Sequence, residues 1–194
     1  MLQAPSQPLP ADPTTDISAL QTRLEKLERQ FAAATEEKRL SMLVFSGELD
    51  KLLAAFTLAV GAAACGMRVS MFFTFWGAAA LKKDGPQAGR KSFVERIFGW
   101  LLPGGMGRRR LSRLDMAGVG RAIIAREMRH KQIPDLPALI AMAAESGVEL
   151  YLCDMSMSLM GIRPEELIDY PGRQVCGVAH FADLAANSQA TLFI

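Results

Sequence analysis

Histidine and cysteine are scarce in this chain. Its 194 residues hold two histidines, His130 and His180, and three cysteines, Cys65, Cys153 and Cys176. An odd, widely spaced set without a C-x-x-C pair is neither a disulfide framework nor a metal spacing, so no metal and no cofactor is expected. Free thiols of this kind fit a reducing compartment, and a cytoplasmic location is the expectation. Charge of one sign is also missing: a net +2 gives no argument for a nucleic-acid partner, and none is expected. No positively charged start followed by an apolar run marks a secretory leader. The longest apolar stretch, Leu52 to Leu81, is broken at Cys65-Gly66-Met67-Arg68. Each arm falls short of the roughly 18–20 residues that a spanning helix needs. Buried helix followed by buried strand is the better reading. The helical arm carries no charge between Lys51 and Arg68, so its outer face is expected to need cover from a second subunit, the N-terminal helix or a membrane. A phosphate-cradling glycine loop is absent as well. Ser46-Gly47-Glu48-Leu49-Asp50 is short and acidic, which argues against a bound nucleotide or flavin.

What is present divides the chain in three. Residues 1–16 are rich in proline, threonine and alanine and read as a disordered tail. Residues 17–39 carry Leu20, Leu24, Leu27 and Phe31 at three- and four-residue spacing between charges. That is an amphipathic helix, laid on the main domain or used for self-association. Residues 40–194 alternate strands and helices. Apolar runs at 40–45, 67–76, 148–153, 175–179 and 191–194 read as strands. Helices are expected from a Ser46 cap to Gly66, over 115–132, from Asp135 to Gly147, after Cys153, and over 181–188. Near-continuous apolar strands between helices imply a mostly parallel, five-stranded α/β sheet covered on both faces. Residues 82–113 interrupt the alternation. Nine lysines and arginines there face only Asp84 and Glu95, around Phe93, Phe98 and Trp100. A lid, a docking surface for an acidic partner and a membrane-surface patch all fit this basic aromatic insertion, as does a solvated loop.

Gly147 to Ser158 is the most informative stretch. The apolar strand Glu149-Leu150-Tyr151-Leu152 ends on Cys153, and a helical pattern with Asp154 in its first turn begins at once. A strand-to-helix turn presents backbone N–H groups that stabilise anions, while Asp154 beside it works the other way. Carboxyl ends of parallel strands are where ligand chemistry sits in such sheets. Cys153 is therefore the candidate for thiol chemistry, against the ordinary fate of a small buried hydrophobe. His180, expected to end the fourth strand, is a candidate acid/base partner or else a capping or surface histidine. Trp76 and Gly77, expected to end the second strand at the same edge, are candidate pocket walls with Asp154. Cys65 and Cys176 read as buried structural cysteines. Met155, Met157 and Met160 read as core rather than as a metal box.

Met42-Leu43-Val44-Phe45-Ser46-Gly47, Val69 to Gly77, Gly147 to Gly161 around Cys153, and Phe181-Ala182-Asp183-Leu184 to Phe193 together resemble the DsrE/DsrF/DsrH-like sulfur-relay family, in its longer members with an N-terminal extension. The resemblance implies a flavodoxin-like domain that assembles as a trimer or hexamer. It also implies sulfur held as a persulfide on a cysteine in the pattern apolar-x-apolar-Cys, then a helix and Gly-Ile. Here that pattern is Leu150-Tyr151-Leu152-Cys153 with Gly161-Ile162. The implied activity is that of a sulfur carrier or sulfurtransferase, with sulfur-donor and sulfur-acceptor proteins as partners. The competing reading is a non-catalytic oligomeric scaffold, or a membrane-associated docking protein, of the same fold.

Overall fold

The computed structural model describes residues 17, 20–28, 38–85, 97, 111–112 and 119–194. The expected tail and most of the basic insertion lie outside the described residues. Residues 20–28 are helical and precede the first strand; Lys38–Ile194 form a compact unit of their own.

That unit is built on a five-stranded sheet of order β4-β3-β2-β1-β5. Its strands are β1 (Arg39–Val44), β2 (Arg68–Phe73), β3 (Glu149–Cys153), β4 (Gln174–Cys176) and β5 (Ala190–Phe193). Every pairing is parallel, as the apolar strands require. Its described helices are α1 (Leu49–Ala64), α2 (Phe75–Ala80), α3 (Val119–His130), α4 (Leu136–Glu145), α5 (Asp154–Met160) and α6 (Val178–Ala186), with a 3-10 turn at Pro164–Glu166.

Strand order and handedness decide the layers. The chain steps from β1 to β2 to β3 to β4 in one direction, then crosses back from β4 to β5. Right-handed crossovers place the helices of the outward steps on one face and that of the return on the other. The core shows this split by residue parity. Leu40, Met42, Val44, Val69, Met71, Phe73, Leu150 and Leu152 share a cluster with Leu52 and Phe56 of α1, Leu139 of α4 and Met157 of α5. Phe72, Tyr151 and Cys153 point the other way, packed with Phe181, Leu184 and Ala185 of α6. The Phe72 and Phe181 rings lie 5.3 Å apart, and each buried ring of this kind stabilises the fold by about 2 kcal/mol.

Several local expectations are corrected. β2 stops at Phe73 instead of Trp76, because Phe75 takes a positive φ of 43° and starts α2. α6 begins at Val178 after an extended Gly177, so His180 lies on a helix instead of ending a strand. Cys176 is half-buried on a three-residue edge strand whose Val175 is 46% exposed, not within a buried strand. Cys65 is exposed, at the cap where α1 ends. The cap of α1 is Glu48; Ser46 Oγ accepts from the Glu48 N–H at 3.3 Å and donates to its carboxylate instead. The outer face of α1 is largely Ala54, Thr57 and Gly61, with Leu58 the exposed large side chain. Among the described residues, no helix is long and apolar enough to cross a membrane.

The ends of the insertion are pinned. The Lys83 N–H donates to the Glu166 carbonyl at 2.8 Å, and the Ser112 N–H donates to Asp50 Oδ1 at 2.9 Å.

Gly77 holds the carboxyl edge together. Its N–H donates to the Phe45 carbonyl at 3.1 Å, and a Cβ there would meet the Val44 carbonyl oxygen at 2.2 Å. Gly77→Ala is expected to cost about 2–3 kcal/mol by urea unfolding, since backbone must move to admit the methyl. Gly61→Ala, with nothing within 4 Å of the new methyl, is expected to stabilise α1 by about 0.5–1 kcal/mol. Equal effects of the two would refute this account of the edge.

Candidate functional site

In a parallel sheet, a crevice opens where neighbouring strands send their connections to opposite faces. Here that happens between β3, which runs into α5, and β4, which runs into α6. Cys153 is the last residue of β3 and Cys176 the last of β4, and the two are register partners. Sequence reading singled out Cys153 and set Cys176 aside as structural. The missed signal was available: each cysteine ends a short apolar run directly before a helix, as Leu152-Cys153-Asp154 and Val175-Cys176-Gly177.

Cys153 is 2% exposed, and its backbone (φ −70°, ψ 117°) makes it the N-cap of α5 without a side-chain capping bond. Behind it, Thr74 Oγ1 at the end of β2 and Ser156 Oγ of α5 share a buried 2.8 Å hydrogen bond. That bond ties the helix carrying the turn to the neighbouring strand. Asp154 is exposed, and its carboxylate accepts from the Met155 N–H at 2.6 Å. The Cys176 thiol is pushed above its ordinary value by burial first, and then by the nearby Cys153 and Asp154.

A polar network runs along the same sheet face. Glu149 accepts from Arg68 Nη2 at 2.6 Å, Ser70 Oγ at 2.8 Å and the Tyr151 hydroxyl at 3.2 Å. Burial alone would raise the Glu149 carboxyl, but these donors outweigh it and hold it below the usual carboxylate range. Burial, and then the charge of Glu149, push the Tyr151 phenol upward. The imidazole of His180 lies over the Tyr151 ring with centroids 4.7 Å apart. Its Nε2 is buried and has no hydrogen-bond partner among the described residues. His180 thus reaches the same sheet face as Cys153, through Tyr151, from the first turn of α6.

The other sequence candidates separate. Gly77 is buried and locks the β1 and β2 ends together, as described above. Trp76 is 50% exposed on the outside of α2. Phe75, Met155 and Val178, each in the first turn of a helix that leaves the carboxyl edge, are exposed with it and make an apolar rim there. Met157 and Met160 are core, and Met155 is not. Among the described residues, no group of three histidine, cysteine or acidic side chains is arranged to hold a metal ion. An apolar cleft between α1, α3 and α4, lined by Leu53, Ile124 and Met128, lies on the other face of the sheet and shares no residue with the cysteine pair.

A Cys176 thiol pushed upward is protonated, and slow to alkylate, at neutral pH. Site-resolved iodoacetamide labelling of Cys176 is expected to keep accelerating as pH rises past 9. A plateau reached by pH 8 would contradict the burial and charge described for it.

The sequence model of the DsrE/DsrF/DrsH-like family matches residues 36–193. The chain is 39% identical over 159 residues to the uncharacterized protein YrkE of Bacillus subtilis (strain 168), covering 82% of this chain and 98% of that one. It is 30% identical over 173 residues to the sulfur carrier protein DsrE2 of Allochromatium vinosum, covering 82% and 99%. Among solved structures, the YchN protein of E. coli aligns over 81% of this chain and 99% of its own, at 12% identity and a TM-score of 0.46.

Proposed function

The chain belongs to the DsrE/DsrF/DrsH-like family, and we propose that it works there as a sulfur carrier, with Cys153 as the residue that holds the sulfur. A donor persulfide presents its outer sulfur, the Cys153 thiolate attacks that atom, and the donor leaves as a thiolate. Cys153 then carries a persulfide, which an acceptor thiol attacks in turn at the same outer sulfur. Neither step oxidises or reduces the protein, so no cofactor is called for. The observation that carries this reading is the place of Cys153: a thiol at the carboxyl end of a parallel strand, where the connections of neighbouring strands diverge. A relative named as a sulfur carrier supports it.

The remaining parts of the reading follow from the same place. The rim of Phe75, Trp76, Met155 and Val178 is the face for donor and acceptor proteins, because apolar side chains exposed around a reactive group favour association. Asp154 flanks the entrance and His180 stands by as an acid/base group, its Nε2 without a hydrogen-bond partner among the described residues. A homo-oligomer, trimer or hexamer, in the cytoplasm completes the proposal. Peripheral membrane contact through the basic insertion is the variant in which charge meets anionic lipid. One observation favours the alternative of a non-catalytic scaffold: Cys153 is 2% exposed, which is also how an inert cysteine packs.

Intact-mass spectrometry after incubation with a persulfide donor separates the two. The wild type is expected to gain one sulfur, about 32 Da, and Cys153→Ser to gain none. Gain persisting in Cys153→Ser moves the carrier role to Cys176 or Cys65. No gain on folded, reduced protein leaves the scaffold.

A further inference from the structure

The carrier reading uses one thiol, yet the sheet delivers two. Register partners on adjacent parallel strands lie about 4.8 Å apart, inside the roughly 4.4–6.8 Å that separates the Cα atoms of disulfide partners. Cys153 and Cys176 are such partners. Both belong to the cluster on the α6 face, so their side chains leave the sheet on the same side. Both are free. β4 is a three-residue edge strand followed by Gly177, around which a methyl would meet nothing within 4 Å. The strand end therefore has room to adjust while the two sulfurs approach.

We propose that Cys176 is the resolving thiol of Cys153, and that the two close a disulfide which discharges carried sulfur as hydrosulfide. Cys176, a protonated thiol at neutral pH, loses its proton as its sulfur attacks the inner sulfur of the Cys153 persulfide, its Sγ. The Sγ–Sγ bond forms and the bond from Cys153 Sγ to the outer sulfur breaks. The outer sulfur leaves with the bonding electrons and takes up the proton that Cys176 gives up. The two cysteines are oxidised by two electrons in all, and the outer sulfur is reduced from the sulfane to the sulfide level. A dithiol reductant must then reopen the pair. The discharge rests on the carrier reading, whereas the pairing does not. A thiol already held in register competes well against dissolved thiols, which have to reach a cysteine that is 2% exposed.

The test has two arms on the full-length chain. In the first, reduced wild type is treated with the thiol oxidant diamide and mapped by peptide mass spectrometry. A Cys153–Cys176 linked peptide, with a loss of about 2 Da, is expected. No link, or a link that joins Cys65 to either residue in preference, overturns the pairing. In the second, protein loaded by glutathione persulfide is freed of donor and held anaerobically without acceptor, while hydrosulfide is trapped with monobromobimane. Wild type is expected to pass from the loaded mass to the disulfide mass with about one hydrosulfide per loaded chain, and at least about tenfold faster than Cys176→Ser. Equal persistence of the loaded form in both overturns the discharge. Closure under diamide in a protein that no donor can load keeps the pair and refutes the carrier reading.

Discussion

Parallel strands joined by right-handed crossovers fix which face of a sheet each helix covers, and in this chain that constraint decides where the two cysteines meet. Stepping outward from β1 to β4 keeps α1, α4 and α5 with one core. The return to β5 has to pass over the opposite face, so α6 lies with the other. The crevice opens where the step outward gives way to the return, between β3 and β4. Nothing about cysteine chemistry is needed to place it there. A thiol at the end of either strand inherits the position, and this sequence ends both strands on one.

Much of this could be read from the residues alone. The five strands, their parallel character and the placement of Cys153 follow from apolar runs bounded by glycine, serine and acidic first turns. What escaped was non-local. Phe75 through Ala80 continue the apolar composition of β2, and only the close approach of Gly77 to the Val44 carbonyl shows why the chain must turn into a helix there. Val178 and Ala179 are equally at home in a strand or a helix, so the expected strand runs three residues past its true end at Cys176. The exposure of β4 depends on its being the last strand of the sheet, a property of strand order and not of composition. The pairing of Cys153 with Cys176 depends on register, which periodicity in one strand cannot reveal.

The edge around the pair is held in a conformation that most residues avoid. Phe75 has a positive φ, a cost of order 1–2 kcal/mol for a bulky side chain. It is offset by the Thr74 N–H donating to the Val44 carbonyl at 3.0 Å, the Gly77 N–H donating to the Phe45 carbonyl at 3.1 Å and the Thr74–Ser156 bond. The result is that Phe75 and Trp76 stand out from the edge, 43% and 50% exposed, instead of entering the core that Phe73 and Leu152 fill. The protein thus spends conformational strain to keep two aromatic rings outside beside a buried thiol. That is an arrangement suited to meeting another surface.

Burial of Cys153 bears on both halves of the sulfur chemistry proposed for it. A thiol 2% exposed is shielded from adventitious oxidants and alkylating agents, which a carrier requires, but it is equally shielded from the partner it must serve. A persulfide relieves this in part, because the transferable atom is the outer sulfur, one bond further from the backbone. The only other thiol with a register claim on the crevice between β3 and β4 is Cys176, half-buried on an edge strand that can yield. In the proposed carrier, a buried sulfur with a single neighbouring thiol has two fates: transfer outward when an acceptor docks on the rim, or closure onto its neighbour when none does. Which fate wins is then set by docking, so the apolar rim and the second cysteine act on the same decision from opposite sides.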